Sequence, residues 1–142
     1  MEYKEYGSKN NDIIILLHGG GLSWWNYIDE IELLENEFHI VIPILDGHSG
    51  SDTNFTSIES NALEIINFIN KNYNGKVKLI GGLSLGGQIL LEILSKNPNI
   101  CECAIIESAL VIPMDFTYKM IELIFNLSYC LIISNFSSKN TI

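Results

Sequence analysis

Short unbroken runs of apolar residues alternate along the chain with longer stretches in which apolar positions recur at helical spacing. Ile13-Ile14-Ile15-Leu16-Leu17 and residues 38–44 are of the first kind. A strand that is apolar on both faces is covered on both, as in a parallel sheet lying between layers of helix. Residues 58–71 are of the second kind, with Ile58, Ala62, Ile65, Ile66 and Ile69 sharing one helical face. Thr56-Ser57-Ile58-Glu59 opens that helix with the capping-box form. Ser23 is expected to cap an earlier helix running to about Glu35, with Trp25, Ile28, Ile31 or Glu32, and Leu34 on its buried flank. Residues 77–80, after the turn signal Asn74-Gly75, predict a further strand, and residues 88–95 a helix that Asn97-Pro98 stops. Residues 103–106 predict the next strand, and residues 2–6 a short edge strand.

This order of strand and helix defines the fold class: α/β, a three-layer sandwich around a mainly parallel sheet. One domain fills 1–142, with its core at about 11–111 and a partial cap or lid plus tail at 112–142. Residues 114–133 are apolar but interrupted by Glu122, too short and broken for a membrane span, so they predict a lid helix. The polar residues 134–142 read as a frayed tail.

Composition narrows the partners. Hydrophobic residues make up 47% of the chain, enough for a real core, and 17 acidic against 8 basic side chains give a net charge of -9. No basic stripe is available to a nucleic-acid backbone, so neutral or cationic small molecules fit better. Cys101, Cys103 and Cys130 lack metal-ligand spacing and are expected to be buried, reduced thiols. Neither a metal nor a cofactor is implied. Gly19-Gly20-Gly21 follows a strand, yet no Gly-Lys-Ser or Gly-Lys-Thr comes after it, which argues against nucleotide binding. The polar first ten residues carry no signal peptide, which makes the cytoplasm the expected compartment.

Chemistry concentrates between the strand at 77–80 and the helix at 88–95. Gly82-Leu83-Ser84-Leu85-Gly86 is a Gly-x-Ser-x-Gly placed where a strand turns straight into a helix. So tight a turn strains the serine backbone and requires small flanking residues, and it lifts the Ser84 hydroxyl above the sheet edge. There the amino end of the next helix favours negative charge on an attacked carbonyl oxygen.

Two further segments make the pattern specific. His18-Gly19-Gly20-Gly21 directly follows the first buried strand, and Asp46-Gly47-His48-Ser49-Gly50-Ser51 follows the next. With the serine turn, in this order and spacing, they resemble the amino-terminal part of an α/β-hydrolase, the superfamily of esterases, lipases, thioesterases, peptidases and dehalogenases. The resemblance runs from about residue 13 to 111. The third segment resembles the family's Pro-Gly-His-Gly-x-Ser loop, with Asp46 in place of Pro and Ser49 in place of Gly. The resemblance implies Ser84 as nucleophile, and the N–H of Leu85 with that of Gly20 or Gly21 as the oxyanion donors. Leu22, Trp24 and Trp25 would lie beside the opening, although core packing is the simpler expectation for the aromatic pair.

A serine nucleophile needs a base, and the family order is serine, acid, histidine. All three histidines, His18, His39 and His48, precede Ser84. His48 stands at the right end of the sheet and is the candidate base, while Glu107, closing the strand after the serine helix, is the candidate acid. The expectation is an incomplete α/β-hydrolase fold lacking the last strands: a serine hydrolase of small esters, thioesters or related acyl compounds, impaired in this chain. The alternative is a noncatalytic binding protein, or a fragment needing a partner chain. An uncovered sheet edge also predicts self-association.

Overall fold

A computed structural model describes residues Met1–Val111, which form one compact unit. The expected lid at 114–133, the tail at 134–142 and Cys130 lie outside the described residues. Five strands make a single sheet: β1 (Glu2–Tyr6), β2 (Ile13–Leu17), β3 (His39–Ile44), β4 (Val77–Leu83) and β5 (Cys101–Glu107), in the order β1-β3-β2-β4-β5. β1 runs antiparallel to β3, and β2, β3, β4 and β5 pair in parallel. Among the described residues, three α-helices lie between the parallel strands: α1 (Ile28–Leu34), α2 (Ile58–Asn72) and α3 (Leu85–Lys96).

Unbroken apolar strands follow from two covered faces. In β2, Ile15 and Leu17 join the core beneath α2 and α3, while Ile14 and Leu16 join the core beneath α1. β3 alternates likewise, with Val41 on the first side and Ile40 and Ile42 on the second. The stripe Ala62, Ile65, Ile66 and Ile69 of α2 packs with Ile89, Leu90 and Ile93 of α3 against the sheet. Burying side chains of this size contributes about 1.5 to 3 kcal/mol each, so the pattern that marks the strands also supplies the driving force for the layers.

Several local expectations are corrected. Ser57, not Thr56, caps α2: its side chain accepts the Ser60 N–H at 3.0 Å. The stretch after β2 begins as a 3-10 turn, Trp24–Tyr27, and only then becomes α1. Ser23 forms no cap there, because its hydroxyl donates instead to the Ser49 carbonyl at 2.8 Å. Accordingly Tyr27 and Ile31 are the buried residues of that stretch, Trp24 packs beside them, and Trp25 and Ile28 are exposed. Cys101 and Cys103 are free, but Cys101 is only half-buried and Cys103 is exposed, where burial was expected of both; β5 has β4 as its only strand neighbour among the described residues.

Candidate functional site

β4 extends through Gly81, Gly82 and Leu83 before the chain reverses at Ser84, whose backbone takes φ 50° and ψ -108°. A left-handed φ is unusual outside glycine, and it is held here by contacts on both sides. The Ser84 N–H donates to the Glu107 carbonyl at 2.8 Å, and the Ser84 carbonyl accepts the Gln88 N–H at 3.0 Å. Its hydroxyl makes no capping bond to α3, and the residue is exposed. The glycines have steric reasons. A Cβ on Gly86 would stand 2.1 Å from the Leu17 carbonyl oxygen, and one on Gly82 would stand 2.5 Å from that of Gly86. The first turn of α3 therefore rests directly on the end of β2.

That contact also sets the loop after β2 beside the serine. Residues 19–22 form a turn closed by the Leu22 N–H to the Gly19 carbonyl at 3.2 Å, with Gly21 at φ 75°. Gly20 and Gly21 are exposed, and among the described residues no backbone carbonyl takes either N–H. A Cβ on Gly20 would be 3.9 Å from the Leu85 side chain. Gly20 and Leu85, expected as paired donors, are thus neighbours, and the Leu85 N–H belongs to the unpaired first turn of a helix.

The histidines are placed differently. His18 is fully buried, and its Nε2 accepts the Leu45 N–H at 3.1 Å, which puts its proton on Nδ1, 3.0 Å from the Gly19 carbonyl oxygen. Burial, only partly opposed by that bond to Gly19 and aided by nearby His48, holds its pKa below the ordinary value. A ring with both nitrogens engaged serves to tie two loops together. His48 is half-buried, 3.0 Å through Nδ1 from the Asp46 carbonyl oxygen and edge-on to His18 at 5.1 Å between centroids. His39 sits at the opposite end of the sheet, with Nε2 3.0 Å from Glu5 Oε2. Among the described residues, no hydrogen bond joins an imidazole to Ser84.

Glu107 closes β5 opposite Leu83 in the register, with its side chain exposed. Its carbonyl, rather than its carboxylate, is what meets Ser84. Sequence reasoning missed the residues that shape the His48 loop. The Asp46 N–H donates to Asn61 Oδ1 at 3.0 Å, and the Thr53 hydroxyl donates to the buried Asp46 carboxylate. Asn61 had a signal, being a polar residue inside the apolar stripe of α2.

Parallel strands flanked by helices, with an exposed serine over the carboxyl end of a central strand and a glycine turn beside it, define an α/β-sheet protein of hydrolase type. The chain belongs to the alpha/beta hydrolase fold family, whose model matches residues 12–128. A protein named "Probable alcohol acetyltransferase" from Cyberlindnera fabianii is 29% identical over 102 residues, 69% of this chain and 27% of that protein. An α/β-hydrolase family protein from Desulfitobacterium hafniense superposes with a TM-score of 0.67 at 23% identity, over 72% of this chain and 42% of that one. A candidate lipase from Acinetobacter baumannii gives 0.64 at 28%, over 72% and 35%. A thermophilic esterase from Thermogutta terrifontis gives 0.65 at 24%, over 72% and 38%. The chain thus spans well under half the length of each of these proteins. No helix among the described residues is long and apolar enough to cross a membrane.

Proposed function

We propose that Ser84 is the nucleophile of a hydrolase acting on small esters, thioesters or related acyl compounds, and that this chain carries out the chemistry in impaired form. The observation that carries this reading is the exposed, uncapped Ser84 hydroxyl on a left-handed turn at the start of α3, beside the open turn at Gly20. The Ser84 oxygen attacks the acyl carbonyl and forms the new C–O bond. The N–H groups of Leu85 and of Gly20 or Gly21 receive the developing oxyanion, each such donor being worth about 3 to 4 kcal/mol of barrier. The leaving group departs with a proton as alcohol or thiol, and water then releases the acid from acyl-Ser84.

The Ser84 proton needs an acceptor, and here the machinery is thin. His48 and the Glu107 carboxylate are the candidates in the chain, and neither is bonded to Ser84 among the described residues. This favours slow acylation, and it supports the second reading: a binding protein using the same opening, or a half-site completed by a partner chain that supplies the imidazole. Exogenous imidazole separates a nucleophilic Ser84, whether its base is weak or supplied by a partner chain, from a site that only binds. If acyl transfer is impaired only for want of a base, imidazole at high concentration accelerates reaction of Ser84 with an acyl or fluorophosphonate reagent; a site built for binding alone gives no covalent product in either condition.

A further inference from the structure

Among the described residues, three non-glycine residues have positive φ: Asn74 at 54°, Ser84 at 50° and Ser108 at 52°. Asn74 lies in the turn Asn74-Gly75, where asparagine adopts this conformation readily. Ser84 belongs to the candidate site. Ser108 has neither explanation, and a strained serine persists only where its surroundings over-determine it.

Those surroundings are the turn at Ser84. Leu83 of β4 and Glu107 of β5 are register partners, so Ser84 and Ser108 are the next residues on adjacent parallel strands. Neighbouring strands run about 4.8 Å apart. Both residues leave the sheet through left-handed backbone, and both are exposed. The second turn is fastened to the first by three contacts. The Ser84 N–H donates to the Glu107 carbonyl at 2.8 Å, and Gln88 Nε2 donates to the Leu110 carbonyl at 2.6 Å. Gly87 approaches so closely that a Cβ there would stand 2.9 Å from the Ala109 Cβ. The first turn of α3 therefore holds two strained serines side by side.

The strand order then decides what Ser108 can meet. The turn at Gly20 follows β2, which flanks β4 on one side, and Ser108 follows β5, which flanks it on the other. A carbonyl oxygen received at Gly20 would lie on the β2 side of Ser84, and Ser108 stands on the β5 side. We infer that Ser108 is a second hydroxyl of the Ser84 centre, a substrate-positioning residue that hydrogen-bonds a polar atom of the acyl compound other than the attacked carbonyl oxygen. The inference rests on the hydrolase reading of Ser84. It favours acyl compounds with an ether, hydroxyl or similar group close to the reacting carbon over plain alkyl ones.

The test is labelling by a fluorophosphonate bearing an alkoxy group, with imidazole present, followed by mass spectrometry of the Ser84 peptide in the intact chain and in Ser108→Gly and Ser108→Asn. Thermal melting is recorded alongside. Glycine suits a positive φ better than serine, so Ser108→Gly melts higher than the natural chain. It nevertheless labels slower by about tenfold, the worth of a good neutral hydrogen bond. Ser108→Asn, which tolerates the same backbone and restores a polar group, recovers part of the rate. If turn shape were the whole role, glycine would label as fast as serine or faster, and that ranking overturns the inference while leaving Ser84 as nucleophile. A natural chain that is folded and unlabelled removes both.

Discussion

His18 is the residue whose chemistry is most fully determined by its neighbours. Both ring nitrogens are committed, one to the Leu45 N–H at the end of β3 and one to the Gly19 carbonyl, so the ring joins the loop after β3 to the turn beside Ser84. A proton on Nε2 would break the first bond inside a buried site. Burial is the main reason its folded-state pKa lies below the ordinary 6.5. The unfolded chain therefore binds that proton more readily than the folded one. Stability from this group is present above about pH 6.5 and lost as the pH falls below it. Urea unfolding between about pH 7.5 and 5.5 is expected to show the loss, and His18→Gln to show a shallower one, since an amide oxygen can accept the Leu45 N–H without titrating. An equal slope in both proteins would contradict this assignment. His18→Ala, which leaves the Leu45 N–H buried and unpaired, is expected to cost about 1 to 3 kcal/mol.

At the scale of elements, the unit of the site is β4, its turn and α3, and this unit was legible in the sequence because its requirements are local. Gly82 and Gly86 must be small for reasons a few residues away in the chain or one strand across, and Gly-x-Ser-x-Gly records both. Gly86→Ala is expected to lose at least about 2 to 3 kcal/mol of stability in a denaturant titration, because its Cβ would meet backbone at Leu17 that cannot move aside. Gly20→Ala, facing space near Leu85, should stay within about 0.5 kcal/mol of the natural chain. Comparable losses in the two variants would mean that α3 does not rest on β2. What escaped the sequence depends on partners distant in the chain. Ser23 looked like a cap and instead bonds Ser49, 26 residues on. Asn61 serves the loop at Asp46 rather than its own helix. Ser108 carries no compositional mark of its positive φ, and Trp25 sits outside the core because a 3-10 turn shifts the helical phase expected of it.

Among the described residues, the sheet has one finished edge and one open one. β1 closes the first with charged and half-buried side chains, whereas β5 leaves Ile105 53% and Ile106 41% exposed. An exposed apolar edge strand is a template for pairing, so light scattering at rising concentration is expected to detect association. A lysine at Ile105 should suppress it without lowering the melting midpoint; association undiminished in Ile105→Lys would place the contact elsewhere. The proposed chemistry turns on Ser84, and fluorophosphonate labelling followed by mass spectrometry, with and without imidazole, on protein shown by circular dichroism to be folded, reads it at that residue. Slow labelling confined to Ser84, acceleration by imidazole, and no labelling in Ser84→Ala are expected. Folded protein that stays unlabelled at Ser84 in both conditions would contradict that chemistry.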